Sequence, residues 1–192
     1  MAPMAPIFTR IIEGELPARF VWKDEQCVAF LSINPLRAGH VLVVPRGEVD
    51  HWLDLDEELT AHLMNASRSI GRAIQEGFEP TNGGLLIAGL EVFHVHIHLV
   101  CIDGLHDMDF DNAAEDPAPA ELDRAAGIIR RELTDLGFEE ATSLARAARA
   151  GGLARGRARG RSPRGRSPRG PRPSRRPARA PASRRRGRAS AR

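Results

Sequence analysis

The chain has no tyrosine, only two cysteines and two tryptophans, and aromatic residues make up 5% of its 192 positions. Two lone cysteines, Cys27 and Cys101, cannot build the disulfide framework of a small secreted domain, and a chain this long has no need of one. Each sits inside an apolar run, "QCVAFL" and "HLVCI", so both read as reduced core residues of a cytoplasmic protein. No apolar run approaches the roughly 20 residues of a membrane span, so no membrane partner is expected. The opening residues, "MAPMAPIFTRII", place no Lys or Arg ahead of an apolar core, which argues against a secretory signal.

Acid is missing from one end. Residues 151–192 hold 16 Arg and no Asp or Glu. Of the 28 Lys and Arg in the chain, 12 therefore remain in residues 1–150 against all 25 Asp and Glu, so the body carries about −13 and the tail +16, giving the overall +3. The sequence pI of about 9.6 describes neither part. The tail is Arg, Gly, Ser, Pro and Ala, with Leu153 its one large apolar side chain and "GRSPR" repeated in tandem at 160–164 and 165–169. With so little apolar surface to bury it cannot offset its ordering entropy, and disorder is expected. Its arginines suit non-specific contact with nucleic-acid phosphates, although it has no aromatic residue to stack on bases. A fold-back onto the acidic body and a solvated extension without consequence are the alternatives.

The body alternates strands and helices. "FTRIIEGELP" reads as a short helix stopped by Gly14 and Pro17. Strands are expected at 19–23 and 27–33, with "DEQ" as their turn, and "HVLVVP" is a third, stopped by Pro45. In residues 54–78, Leu59, Leu63, Ala66, Ile70, Ala73 and Ile74 recur at helical spacing, Asp54 or Asp56 can cap the start, and Gly77 is expected just past the end. "GGLLIAG" and "FHVHIHLVCI" give strands four and five, and "ELDRAAGIIRRELTDLGF" a last helix closed by Gly137. Helices so few and unevenly placed do not suit a doubly wound parallel sheet. The expected class is α+β, an antiparallel sheet with helices on one side. The expected organisation is a flexible 1–5, a domain over 6–136, a helical or frayed connector at 137–150 and the disordered 151–192.

The fifth strand carries three of the seven histidines, His94, His96 and His98, at alternate positions. On a strand these share one face, about 6.6–7 Å apart, while Val95, Ile97 and Leu99 share the other. Three incidental histidines on a polar face are one reading. A metal site is a second, but the outer Cα atoms would stand about 13 Å apart, and Asp103 or His106 would have to supply a missing ligand. Nucleophilic catalysis is the third: neutral imidazole attacks phosphorus near pH 7, while flanking rings hydrogen-bond the oxygens and assist the departing atom. That reading gives every ring a role and needs no cofactor or metal.

"HVHIHLV" matches the His-φ-His-φ-His-φ-φ signature of the histidine triad (HIT) superfamily. "IFTRIIEGELPARFVWKDEQCVAFLSINPLRAGHVLVVPR" resembles the N-terminal half of a HIT domain, and the likeness covers about residues 6–136. The resemblance implies a five-stranded antiparallel sheet with helices, a homodimer, and chemistry at the α-phosphate of a nucleotide. It implies His96 as the nucleophile that becomes a covalent nucleotidyl-imidazole, His98 as the residue assisting the leaving group, and His94 as an orienting residue. Ser32 and Ile33 fall where relatives contact ribose and base, with Ser32 in place of a frequent acid.

The chain departs from the pattern elsewhere. The usual Cys-x-x-Cys positions hold Pro6 and Thr9, so no structural zinc is expected. The His usual three residues past the "V-x-P" proline is Glu48, and His51, three further on, either replaces it or is a surface residue. The segment before the triad is "GLEVFH", with Leu90 and Glu91 where polar side chains usually meet the α-phosphate, and the strand-four region lacks its customary Asn. A carboxylate about 4 Å from a phosphate, at an effective dielectric of 20, is repelled by about 4 kcal/mol. Glu91 either turns outward or meets a cationic leaving group. The acidic body also slows encounter with a polyphosphate more than with a singly charged AMP–amine. The expected substrate is thus a purine nucleoside 5′-phosphoramidate. A dinucleoside polyphosphate, or nucleotide binding without catalysis, are the alternatives. His40 is expected to close the loop before strand three, His62 to be solvated or half-buried, and His106 is given no role.

Overall fold

The computed structural model describes residues 6–140. The expectations for 1–5, for the connector beyond residue 140 and for the Arg-rich tail lie outside the described residues. Five strands form one antiparallel sheet in the order β1-β2-β3-β5-β4: β1 Phe20–Lys23, β2 Cys27–Leu31, β3 Val41–Pro45, β4 Asn82–Leu86 and β5 Ile97–Ile102. Three α-helices accompany it, α1 Ile7–Ile12, α2 Glu57–Phe78 and α3 Pro119–Asp135. Short 3-10 turns occupy Trp52–Asp54, Leu105–Met108 and Phe110–Asn112. The α+β class and five-stranded antiparallel sheet expected from the sequence are observed.

Both faces of the central strands are buried, which is why they read as continuous apolar runs. Cys27, Ala29, Leu31, Val41, Val43, Ile97, Leu99 and Cys101 face α2 and α3. Those helices contribute Leu63, Ala66, Ile70, Ala73 and Ile74, and Leu122, Ala125, Ala126, Ile129 and Leu133. Val28, Phe30, Leu42 and Val44 face the other way and pack with Phe8, Ile11 and Ile12 of α1. The helices are therefore not all on one side. The six-residue α1 covers β2 and β3 residues on the second face.

Local chemistry sets the ends of the elements. Asp24 closes the β1–β2 turn by accepting the N–H groups of Gln26 and Cys27 on Oδ1. Asp56 caps α2 by accepting the N–H of Leu59, and Glu57 and Glu58 complement the helix dipole. Gly77 does not end α2. The helix continues to Phe78 and stops at Glu79, which takes the left-handed conformation at φ 49°. Gly77 is instead the place where α2 meets α3: a Cβ there would stand 2.5 Å from Ile128 Cγ2. Gly137, at φ 88°, does follow the end of α3 as expected.

Gly77 and Gly127 provide a matched test, since a Cβ at Gly127 meets nothing within 4 Å. Gly77→Ala should lower unfolding stability by about 1–3 kcal/mol through overpacking, despite its gain in helix propensity. Gly127→Ala should raise it by about 0.5–1 kcal/mol. Urea titrations of the two variants read the difference.

Candidate active site

The β3–β5 ladder pairs Val41 with Leu99, Leu42 with His98 and Val43 with Ile97, and goes no further. The next β3 residue facing outward is Pro45, which has no N–H to donate. Only His98 of the three alternate histidines therefore lies in β5. His94 and His96 occupy an extended segment before it, where Val95 N–H turns to the carbonyl of Val49 at 2.7 Å. The alternation survives outside the ladder. His98 shares its face with its partner Leu42, on the α1 side of the sheet. The ring centroids of His96 and His98 are 4.8 Å apart, and Phe8 of α1 meets His96 edge-on at 5.0 Å and His94 at 6.1 Å. Ile97 and Leu99 point into the helix-side core.

Each ring is held so that its tautomer is fixed. A backbone carbonyl can only accept, so the imidazole nitrogen facing it must carry the proton. His94 Nε2 donates to the carbonyl of Pro45 at 2.9 Å, and its Nδ1 has no partner among the described residues. His96 Nδ1 donates to the carbonyl of His94 at 2.8 Å, which leaves the lone pair on Nε2. His40 completes the set. Its Nδ1 accepts the N–H of Leu36 at 3.1 Å, so its Nε2 carries the proton and donates to His98 Nδ1 at 2.9 Å. His98 is then left with its proton on Nε2. One neighbour in the cleft thus offers a lone pair and the other an N–H.

Burial keeps the rings neutral. His98 is pushed down to about 4, by burial first and by His96 second. His40 is pushed down to about 3, by burial and by the neighbouring His98 and His96. His96 is also lowered by burial, but the bond to the His94 carbonyl and the charge of Glu91 pull the other way. Protonating His98 at Nδ1 would set two N–H groups head to head across the His40 contact, so geometry and burial agree.

His96 and His98 line a cleft with Ala88, Gly89, Leu90, Glu91 and Phe110. Phe110 stands edge-on to His98 at 5.1 Å. Glu91 is exposed at the rim, close enough for its charge to act on His96. The structure brings these four sequence candidates, His94, His96, His98 and Glu91, into one neighbourhood. Ser32, Ile33 and His51 are not among the residues that line this cleft, although the Ser32 N–H donates to the carbonyl of His40, whose ring bonds His98. Ser32 lies just past β2, its hydroxyl donating to the carbonyl of Asn34, and lines a separate hollow with Leu122 and Ala125. Ile33 is 65% exposed and outside the cleft lining. His51 caps the turn at Trp52–Asp54, accepting the N–H of Leu53, and stacks on Trp52. His40 closes the loop before β3, as its place in the sequence predicts, and it also sets the proton of His98. The "G-H" before an apolar strand gave no sign of this pairing, since residues 40 and 98 meet only across the sheet.

The HIT domain family model matches residues 13–104. The protein called "Protein hit" from Bacillus subtilis strain 168 is 33% identical over 135 residues, covering 66% of this chain and 93% of that protein. A HIT-like protein of Methanocaldococcus jannaschii is 38% identical over 101 residues, 49% of this chain and 76% of its own length. Among solved structures, a zinc-bound histidine triad family protein from Mycobacterium smegmatis superposes with a TM-score of 0.60 at 26% identity, covering 69% of this chain and 96% of that one. A hypothetical histidine triad nucleotide-binding protein from Sulfolobus tokodaii gives 0.60 at 26%, covering 67% and 92%. The chain belongs to the histidine triad family.

The mycobacterial protein is zinc-bound. At the positions where Cys-x-x-Cys is expected stand Pro6 and Thr9, and Thr9 Oγ1 donates to Glu48 Oε2 at 3.2 Å. A hydroxyl and a carboxylate joined by a hydrogen bond, with no thiolate, do not fit a structural zinc.

His40 and His98 are neutral when folded and titrate near 6.5 when unfolded, so the folded state binds fewer protons in between. Their contribution to stability is complete above pH 6.5 and is lost as pH falls toward 4. His40→Asn should flatten the pH dependence of unfolding stability over that interval, measured by urea titration from pH 7 to 4. An unchanged slope would contradict the pairing.

Proposed function

We propose that the protein is a hydrolase acting at the α-phosphorus of a nucleotide, with His96 Nε2 as the nucleophile. The observation that carries this reading is the donation from His96 Nδ1 to the His94 carbonyl, which makes Nε2 the lone-pair nitrogen of a ring lining the cleft. A neutral imidazole so fixed attacks without first losing a proton. The P–Nε2 bond forms as the bond to the leaving group breaks, and water then hydrolyses the nucleotidyl-imidazole. His98, with its proton on Nε2, donates toward the leaving atom, and His40 is the positioning residue behind it. His94 orients His96 through its carbonyl, while its own ring is tied to Pro45. Ser32, Ile33 and His51 stand outside the cleft lining, so ribose or base contacts from them would require the nucleotide to extend beyond it.

Glu91 at the rim and the acidic body favour a substrate with little negative charge and an amine on phosphorus, a nucleoside 5′-phosphoramidate. A dinucleoside polyphosphate would bring its extra phosphates against the same carboxylate. The exposed edge strand β4, with Leu85 44% exposed and lining one surface hollow with Met64 at 46%, suits pairing with a second copy of the chain. The Arg-rich tail is read as a non-specific contact for nucleic-acid phosphates.

His96→Gly should lower turnover of an AMP–amine by about 10⁴-fold or more and abolish the covalent adduct trapped from the wild type. The wild-type acid limb of kcat/KM should lie below the pH 6.5 of an ordinary imidazole, because protonation of a ring with a lowered pKa removes the attacking lone pair only at lower pH. An adduct that persists without His96, or no turnover of nucleotide conjugates by the wild type, would sink the catalytic reading. A higher kcat/KM for diadenosine polyphosphate than for the AMP–amine would sink the charge argument alone.

A further inference from the structure

On the helix-side face of the sheet, a second group of chemically active side chains meets away from the histidine cleft. Asp24 lies in the β1–β2 turn, Cys27 opens β2 and His62 stands in the second turn of α2. A carboxylate oxygen, a sulfur and a ring nitrogen from these three lie within 4.8 Å of one another. They converge on one atom. Asp24 Oδ2 accepts from Trp22 Nε1 at 2.6 Å, from His62 Nε2 at 2.9 Å and from Cys27 Sγ at 3.4 Å. The turn itself needs only Oδ1, which takes the two backbone N–H groups. Oδ2 is therefore free to serve the thiol and the imidazole, which come from different elements.

We propose that Asp24, Cys27 and His62 form a binding site for a thiophilic divalent cation of the zinc class, with a further coordination position open to solvent. Carboxylate oxygen, imidazole nitrogen and thiolate sulfur are the three donor types that zinc takes in proteins. Bonds of about 2.0–2.3 Å in a tetrahedron set donor atoms about 3.3–3.5 Å apart. The sulfur–oxygen separation of 3.4 Å already meets this, and the nitrogen–oxygen separation of 2.9 Å needs to open by roughly half an ångström. Cys27 is fully buried, whereas the His62 and Asp24 side chains are 31% and 14% exposed, so a cation has a way in from the α2 side. Gln26, Glu58 and Leu59, neighbours of the cluster in sequence, line a surface hollow with Asp56.

Protons and charge balance without any redox step. The Asp24 carboxyl is already ionised: burial opposes this, but the hydrogen bonds from Trp22, Cys27, Gln26 and His62 together hold it at about 2. The His62 proton moves from Nε2 to Nδ1, freeing Nε2 as donor to the metal. The Cys27 proton leaves to solvent as the metal–sulfur bond forms. A dication then meets two anions, the Asp24 carboxylate and the Cys27 thiolate, and the loaded cluster is neutral. Burial first, then the charge of Asp24 and the hydrogen bond to it, push the Cys27 thiol up, with Arg46 opposing. The cation must displace that proton, so uptake strengthens as pH rises. A bound ion would join the β1–β2 turn to α2 next to Trp22, whose ring packs on Phe138 at 5.4 Å. Its role is a staple, independent of the triad chemistry.

The test is cobalt titration of the reduced, chelator-treated full chain. One equivalent of Co²⁺ should bring a thiolate-to-cobalt charge-transfer band and tetrahedral d–d absorption, raise the Tm, and be displaced by Zn²⁺. Cys27→Ser and His62→Gln should each lose the band and the Tm rise. Cys101→Ser and His96→Gly should keep both. His62 is on a half-exposed helix position, so His62→Gln remains informative if Cys27→Ser does not fold. The absence of a charge-transfer band in the wild type, a band unchanged in His62→Gln, or a band lost in Cys101→Ser would each overturn the site.

Discussion

At Pro45 the β3–β5 ladder runs out of donors. A proline can accept but not donate, so the chain facing it leaves the strand, and the free Pro45 carbonyl is taken by the His94 ring. His94 then turns its own carbonyl onto His96 Nδ1. Two acceptor-only groups in series thus decide which nitrogen of each ring holds a proton. The rest of the site follows from this: a lone pair on His96 Nε2, an N–H on His98 Nε2, and His40 behind it with its own proton fixed by Leu36.

Charge is managed by exclusion. His40, His96 and His98 are buried close together, with little water to stabilise an imidazolium. Burial lowers all three, and Glu91 is the rim charge that pulls His96 back. Away from the cleft the opposite arrangement holds. Asp24 remains ionised despite its surroundings because five donor groups surround it, and it gathers Trp22, Cys27 and His62 into one cluster. The same sheet thus keeps imidazoles neutral on one face and a carboxylate charged on the other.

Much of the architecture was legible from residue order. The period of Leu63, Ala66, Ile70, Ala73 and Ile74 fixed the buried face of α2, and the unbroken apolar runs of β2 and β3 reflected burial on both faces. Gly77 misled, because a glycine that ends a helix and one that lets two helices touch look alike until the second helix is placed. The location of α1 was missed because one short apolar stripe fits either face of a sheet. The alternation of His94 and His96 predicts strand residues, yet they precede β5, because alternation belongs to extended backbone and extended backbone persists where the ladder has stopped.

The sequence by itself determined the alternation of the three rings, the acidic body with its basic tail, and the family. These are properties of neighbours along a chain, and local backbone geometry expresses them directly. Only the tertiary structure decided which nitrogen of each histidine is protonated, that His40 stands behind His98, and that His62 reaches Asp24 and Cys27. Those facts depend on hydrogen bonds between residues tens of positions apart, and no local pattern encodes a partner that arrives from another element.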